Sequence, residues 1–316
     1  MDDDSFGTPP EAQGTPNKSA SEFPVVLFLN QTGLRAGWRL LIYAAIFFVF
    51  WSCSILVLGQ FFSPERGASS LRYQILGEFA SFLAAFFGAW IMSLIEQRPV
   101  SVYGLPARGA FGKLFWQGSL FGFCEILLLI GLIAAFRGYS FGSLAEHGAD
   151  IAKWAFVWGA FFVVVALFEE FLFRGYSLYT LADGAGFWPA AVLLAGVFGW
   201  VHKHNSGENW IGVAGVFFVG LFWGFTRKRT GSLWFALGMH ATFDFGETFL
   251  FSVPDSGMIF PGHLSNATLH GPDWITGGTP GPEASVFDFL ILAVFFFVFD
   301  RLYPARAVQR YVPPAV

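Results

Sequence analysis

The sequence contains few charged residues and almost no cysteine. Asp, Glu, Lys and Arg make up 13% of its 316 residues, whereas 55% are hydrophobic. Soluble domains contain roughly 25% charged residues, so this composition excludes an ordinary soluble protein and indicates a membrane protein. The 2 cysteines, Cys53 and Cys124, each lie in an apolar run, which excludes a disulfide framework and predicts free thiols.

The first 34 residues lack the apolar segment of a cleavable signal peptide. They begin with acidic residues at positions 2–4 and contain scattered Pro, Gly and Ser, which predicts a disordered cytoplasmic tail at 1–34. We therefore expect the first membrane span to act as an uncleaved signal. The transmembrane domain is predicted at 35–303, and a second cytoplasmic tail at 304–316.

Apolar runs long enough to cross a bilayer recur along most of the chain. Three of them contain a carboxylate, namely Glu78, Glu125 or Asp288. The runs predict an all-α fold, a polytopic membrane helical bundle with about eight transmembrane helices. The spans are expected at 39–62, 73–95, 114–136, 152–181, 187–203, 210–226, 231–252 and 284–300.

Basic residues are distributed unequally between the two sides of these spans. If the N-terminus is cytoplasmic, twelve Lys and Arg residues lie on the cytoplasmic side and five on the external side. The long loop at 254–282 contains neither Lys nor Arg and falls outside. Because cytoplasmic loops are enriched in basic residues, both termini are predicted to be cytoplasmic. A reporter fused to the C-terminus would test this orientation.

One apolar run ends in charged residues that a simple membrane helix would omit. The stretch "LFEEFLFR" at 167–174 contains Glu169, Glu170 and Arg174. A charged side chain at the middle of a bilayer costs at least ~2.5–3.5 kcal/mol. Glu170 and Arg174 are four residues apart, so they share a helix face and can form an ion pair. Glu169 lies roughly 100° around the helix and needs a partner on another span, or water.

Two later spans contain candidate partners for Glu169. His202 ends the stretch "FGWVH", and His240 and Asp244 lie four residues apart in "HATFD". At ~1.5 Å per residue, Glu169 and His202 each stand ~20 Å from the turn near Gly184, which puts them at similar heights. Each feature alone also has an ordinary structural explanation: an ion pair between helices, a histidine at the interface, or an oriented histidine.

Together, the patterns E-E-x-x-x-R, F-x-x-x-H and H-x-x-x-D resemble the three motifs of the CPBP family of intramembrane proteases. That family includes the type II CAAX prenyl proteases and bacterial relatives linked to bacteriocin immunity and processing. The resemblance covers 169–244, within a motif core at 152–252. It implies peptide-bond hydrolysis inside or beside the membrane. By this resemblance, the catalytic residues are Glu169, His202, His240 and Asp244, and the supporting residues are Glu170, Arg174 and Phe198.

One residue departs from the CAAX proteases, which usually have Asn at the position of Asp244. Bacterial members of the family use either residue. Aspartate keeps a hydrogen-bond acceptor at this position but removes the amide donor. The departure puts an oxyanion-stabilising role for Asp244 in doubt.

Two mechanisms remain open for these residues. In the first, Glu169 acts as a general base on water, and His202 orients that water or shares its proton. His240 donates to the oxyanion, while Asp244 fixes the tautomer of His240. In the second, Glu169, His202 and His240 hold a catalytic zinc ion with an open position for water. The family is traditionally described as metalloproteases, but the spacing differs from H-E-x-x-H and does not require zinc.

The expected partners are the lipid bilayer and a membrane-protein or lipidated-peptide substrate, and no nucleic acid is expected. We expect the protein in a bacterial cytoplasmic membrane. Two other function classes are open. An ion- or proton-coupled transporter also uses buried Glu, His and Asp, although the sequence contains no visible internal repeat. A catalytically silent scaffold or immunity protein of the same family would have no reason to keep such costly charges.

Overall fold

The computed structural model describes residues 28–30, 33–61 and 71–305, which are mainly helical. The helices are α1 (Ala36–Phe61), α2 (Leu71–Ile95), α3 (Lys113–Ala135), α4 (Ala149–Glu170), α5 (Leu178–Ala185), α6 (Phe187–His202), α7 (Trp210–Thr230), α8 (Trp234–Phe245), α9 (Asp273–Thr276) and α10 (Val286–Leu302). A π-helical segment, Phe171–Ser177, joins α4 to α5, and a second, Gly246–Leu250, extends α8. Short 3₁₀ turns occupy Val100–Tyr103 and Pro282–Ala284.

Two small antiparallel ladders complete the described secondary structure. The first pairs β1 (Leu29–Asn30) with β2 (Gly33–Leu34), and the second pairs β3 (Tyr139–Ser140) with β4 (Thr268–Leu269). The first ladder lies at the end of the predicted tail at 1–34, most of which is outside the described residues. The predicted tail at 304–316 is also outside them, apart from residues 304 and 305.

The predicted all-α bundle is confirmed. Each predicted span corresponds either to one helix or to helices that a π-helical segment joins or extends, and the outer ends differ from the prediction by at most four residues. Within the described ranges, five helices are long and apolar enough to cross a membrane: Ala36–Phe61, Leu71–Ile95, Lys113–Ala135, Ala149–Ala185 and Trp210–Thr230. Phe187–His202 is a shorter apolar helix. The total of eight spans therefore stays a prediction.

Large apolar side chains cover the outside of the bundle. Phe61 is 77% exposed, Phe156 is 78% exposed and Leu56 is 69% exposed. Soluble proteins rarely expose contiguous apolar surface of this kind, but lipid tails accommodate it. The protein is therefore an integral membrane protein whose apolar exterior faces hydrocarbon.

An ion-pair network ties three helix ends together at one end of the bundle. The Arg39 guanidinium, near the start of α1, lies 2.7 Å from the Glu96 carboxylate just after α2 and 2.8 Å from the Asp183 carboxylate in α5. Tyr176 also donates a hydrogen bond to Glu96. This is the end predicted to be cytoplasmic, although the side of the membrane stays a prediction.

Glycines bring the backbones of α3 and α8 into direct contact. A Cβ atom added at Gly118 or Gly122 would overlap the carbonyl oxygen of Phe235 or Met239, respectively. Small residues at helix interfaces allow such close approach within membranes. This contact fixes the position of α8, which contains His240 and Asp244.

Replacing Gly122 with alanine should lower stability and activity together. The added methyl group has no space, and overpacking of a close contact costs roughly 1–3 kcal/mol. Gly131 in the same helix provides the matched control, because a Cβ there would meet nothing within 4 Å. Thermal unfolding in detergent should show a lower midpoint for Gly122→Ala and an unchanged or higher one for Gly131→Ala. Equal midpoints would contradict the close packing of α3 on α8.

Candidate active site

A cavity of about 440 Å³ lies inside the bundle. Its wall contains residues from α1, α2, α3, α4, α6, α7, α8 and the start of α10, together with residues from the segments between α8 and α10. The four residues expected to be catalytic all line it: Glu169, His202, His240 and Asp244. The structure therefore brings together side chains from α4, α6 and α8 that are far apart in the sequence.

The E-E-x-x-x-R pattern lies at a change in helix geometry. Glu169 and Glu170 end α4, and Arg174 lies in the π-helical segment Phe171–Ser177. Within that segment, Gly175 leaves helical geometry, with φ −79° and ψ −109°. Single π-helical turns inside α-helices frequently occur at functional sites. The sequence predicts a regular helix here, and nothing in its spacing indicates this turn.

Glu170 and Arg174 form the predicted ion pair. Arg174 Nη1 lies 3.0 Å from Glu170 Oε1, and the two side chains are 2% and 0% exposed. The guanidinium also stacks over the ring of Phe198, at 4.1 Å from its centroid. In α7, Gly220 leaves the space that Arg174 fills, since a Cβ there would overlap Arg174 Nη2. The pair is thus buried and enclosed on several sides.

The Glu169 carboxylate lies between the two histidines. Its Oε2 is 3.6 Å from His240 Nε2, and its Oε1 is 4.0 Å from His202 Nε2. Both distances exceed a direct hydrogen bond, and all three side chains line the cavity, so a small molecule in it could contact each of them. The unpaired carboxylate of the sequence analysis therefore meets partners on two other helices.

The ring of His240 has carboxylates at both nitrogens. Nδ1 lies 3.4 Å from Glu170 Oε1, and Nε2 lies 3.2 Å from Asp244 Oδ2. One face of the ring stacks on Trp223, with centroids 4.2 Å apart. An ionised carboxylate can only accept a hydrogen bond, so each ring nitrogen would have to donate, but Nδ1 is buried without a hydrogen-bond partner at this distance. Glu170 thus occupies the orienting position at Nδ1, whereas Asp244, expected to fix the tautomer, shares Nε2 with Glu169.

His202 has a defined tautomer. Its Nδ1 donates a hydrogen bond to the Phe198 carbonyl oxygen at 2.9 Å, because a carbonyl can only accept. The ring also packs edge-on against the Phe198 side chain, with centroids 4.5 Å apart. In the neutral imidazole, the other nitrogen, Nε2, then carries the lone pair, and it faces Glu169. Phe198 supports the site through both its carbonyl group and its ring.

Five further carboxylates line the cavity, and sequence reasoning did not assign any of them to the site: Glu78, Glu125, Asp255, Glu283 and Asp288. Three of these lie within apolar spans, and an ionisable residue inside a membrane span is itself a signal of a functional site. The other two lie in the stretch between α8 and α10 and follow no periodic pattern.

The predicted zinc ligands do not form a compact ligand set. Among the described residues, one group of three side chains has ligand atoms that all lie within 4.8 Å of one another. This group consists of Glu247, Asp255 and Glu283. A zinc-bound histidine uses one ring nitrogen for the metal. In His240, that nitrogen would be Nδ1, which faces Glu170, or Nε2, which faces two carboxylates. Glu169, His202 and His240 are therefore not drawn together as a compact set of ligand atoms in this arrangement, and zinc at these residues stays a prediction.

Comparison with known families agrees with the motifs. Residues 114–246 match the family model described as "Type II CAAX prenyl endopeptidase Rce1-like". This range includes α3 through α8 and every residue assigned to the site from the sequence. No curated protein and no solved structure matches the chain. The family resemblance predicted from the motifs is confirmed, and the chain is similar to a family of membrane proteases.

Proposed function

We propose that the protein is an intramembrane endopeptidase that hydrolyses peptide bonds with water activated by Glu169. The observation that supports this proposal best is the position of the Glu169 carboxylate between His202 Nε2 and His240 Nε2 in a buried cavity. The three side chains lie within the range similar to the CAAX endopeptidases. A base, a water-orienting group and a proton donor thus surround one space.

The first step of the proposed reaction is attack by water. Glu169 accepts a proton from a water molecule as the water oxygen bonds to the scissile carbonyl carbon. His202 Nε2 accepts a hydrogen bond from the second O–H group and orients the lone pair toward that carbon. The carbonyl π electrons move to the oxygen, which becomes an oxyanion.

The second step breaks the C–N bond. His240 donates its Nε2 proton as a hydrogen bond to the oxyanion, which replaces the carboxylates that face this nitrogen in the free protein. The oxyanion then re-forms the carbonyl group, and the proton held by Glu169 passes to the departing nitrogen. The products are a carboxylic acid and an amine, and Glu169 returns to its ionised form.

Glu170, Arg174 and Phe198 support this arrangement in the proposed mechanism. Glu170 Oε1 lies within reach of both Arg174 Nη1 and His240 Nδ1, so it couples the ion pair to the orientation of the imidazole ring. Arg174 stacks on Phe198, whose carbonyl group holds His202. One connected set of contacts thus positions both histidines.

The substrate is proposed to be a membrane-associated protein with a prenylated or otherwise hydrophobic segment. Apolar side chains from α1 and α4, including Trp51, Ile55 and Phe161, line part of the cavity. They suit a hydrophobic chain, and the carboxylates and histidines lie beside them. The site lies among helices that face lipid, which favours a substrate held in the membrane. We propose that this membrane is a bacterial cytoplasmic membrane.

Cleavage by the purified protein tests the function. The full chain, reconstituted in liposomes, should cleave a fluorogenic peptide that carries a hydrophobic or prenyl anchor. Ion flux across the same liposomes, without cleavage, would overturn the proposal in favour of a transporter. Neither cleavage nor flux, from protein shown to be folded, would overturn it in favour of a silent scaffold or immunity protein.

A further inference from the structure

A second group of buried carboxylates lies at one side of the catalytic cavity, whose wall includes two of them, Asp255 and Glu283, and the proposed reaction does not use this group. Glu247 lies in the π-helical extension of α8, Asp255 in the following loop, and Glu283 in the 3₁₀ turn before α10. One oxygen from each lies within 4.8 Å of the other two. Three separate segments of the chain thus converge on one point.

Much of the hydrogen-bonding capacity of this carboxylate cluster is unused. Glu247 is 0% exposed, and neither of its carboxylate oxygens receives a hydrogen bond. Glu283 Oε1 is also buried and receives none. Asp255 Oδ2 accepts from Thr248 at 3.1 Å, and Glu283 Oε2 accepts from Ser256 at 3.3 Å. Buried unpaired acceptors are costly, so the cluster is incomplete without protons or a cation.

The raised pKa values of two of these carboxylates also indicate that negative charge is unfavourable in the cluster. Burial, followed by the nearby charge of Asp244, raises the pKa of Asp255 well above its usual range. Burial, followed by the charge of Asp255, raises the pKa of Glu283 well above its usual range. These buried groups repel one another, and a bound positive charge would offset both the repulsion and the cost of burying their charges.

The segments that contain Asp255 and Glu283 are fixed against each other and against α7. The Gly257 N–H donates to the Pro280 carbonyl oxygen at 2.6 Å. Gly281 adopts a positive φ of +123°, and a Cβ there would overlap the Pro254 carbonyl oxygen. In α7, a Cβ at Gly215 would lie 2.6 Å from the Glu283 carbonyl oxygen. The carboxylates are therefore held by a closely packed backbone, as a preformed ligand site requires.

We propose that Glu247, Asp255 and Glu283 form a binding site for a hard divalent cation, of the Ca²⁺ or Mn²⁺ type. All three ligands are carboxylates, which such cations prefer, and the group has no histidine or cysteine to favour zinc. The cation would join the stretch between α8 and α10 to the end of α8 and thereby hold that stretch against the catalytic cavity. This site is distinct from the zinc site expected at Glu169, His202 and His240.

Cation binding to the detergent-purified full chain tests the proposal. Protein freed of metal with a chelator should bind about one Mn²⁺ per chain, measured by electron paramagnetic resonance, and Ca²⁺ or Mn²⁺ should raise its thermal midpoint. Glu247→Gln and Asp255→Asn should remove both effects, because each amide keeps the shape but loses the charge. Glu146→Gln, in a partly exposed loop, and Glu169→Gln should retain them.

Three results would overturn the proposal. The first is wild-type protein that neither binds Mn²⁺ nor responds thermally to Ca²⁺ or Mn²⁺, which would mean that protons neutralise the cluster. The second is an unchanged response in Glu247→Gln. The third is Mn²⁺ binding that Glu169→Gln removes and Asp255→Asn preserves, which would place the cation in the catalytic cavity. If either cluster variant fails to fold, Mn²⁺ titrations of the wild-type protein and of Glu169→Gln still show whether a cation binds and whether it binds outside the catalytic residues.

Discussion

Glu169→Gln should abolish peptide cleavage without loss of the fold. Glutamine has nearly the same shape as glutamate but cannot accept the proton of the attacking water. Removal of a general base typically lowers the rate by roughly 10²–10⁴-fold. The Glu169 side chain lies between His202 and His240 at distances longer than hydrogen bonds, so its charge contributes little direct bonding to the fold. Cleavage of the anchored fluorogenic peptide and the thermal midpoint measure the two effects.

Glu146→Gln is the matched control, because it makes the same chemical change in a loop outside the cavity. It should retain parent activity. A Glu169→Gln variant with parent activity would contradict the role of Glu169 as the base. Loss of folding in that variant would instead show that the carboxylate holds α4, α6 and α8 together.

Metal analysis separates the carboxylate mechanism from the zinc mechanism. Under the carboxylate mechanism, protein stripped of zinc but supplied with Ca²⁺, which prefers oxygen ligands, should remain active. About one zinc per chain, lost together with activity in His240→Ala, would overturn it. His147→Ala, in an exposed loop position, is the matched control for that substitution. The divalent cation must be supplied because a chelator would also empty the site proposed at Glu247, Asp255 and Glu283.

The helices and the local pairs in this protein follow directly from the sequence. Hydrocarbon-length apolar runs fix where helices lie, because a membrane span must satisfy its backbone hydrogen bonds internally. The four-residue spacing of Glu170 and Arg174 determines their shared face, and the structure places them in contact. The similar heights expected for Glu169 and His202 also follow from helix rise, and their side chains lie 4.0 Å apart.

Contacts between helices depend on information that local patterns do not contain. Helical spacing predicts that His240 and Asp244 lie on one face, and the structure puts Asp244 at Nε2 of His240. The spacing does not predict that Glu170 lies at Nδ1 of the same ring. The rotation of each helix about its axis decides such contacts, and the glycines at Gly118 and Gly122 help to set it. Asp255 and Glu283 lie in irregular segments, where no periodicity predicts the direction of a side chain.

Arg174→Ala should have the largest expected effect on stability. Arg174 Nη1 lies 3.0 Å from Glu170 Oε1, and both side chains are almost completely buried. Removing the arginine would leave the Glu170 carboxylate with only His240 Nδ1, at 3.4 Å, to offset its charge. Breaking a buried ion pair by removing one partner costs about 3–5 kcal/mol. The cavity beside Phe198 adds to this cost, because the guanidinium stacks on that ring.

The comparison of single and double variants identifies the cause of that loss. Arg174→Ala should lower the thermal midpoint and the yield of folded protein, whereas Arg301→Ala, at an exposed position of α10, should leave both unchanged. Replacing both partners, as Glu170→Gln with Arg174→Met, removes the unpaired charge and keeps most of the volume. Because the penalty comes from the isolated carboxylate, the double variant should be more stable than Arg174→Ala. It should still cleave poorly, because the amide at position 170 would put no charge beside His240 Nδ1 and no arginine would fix that side chain in place. An Arg174→Ala variant as stable as the parent would mean that water reaches Glu170 and that the ion pair does not hold the site together.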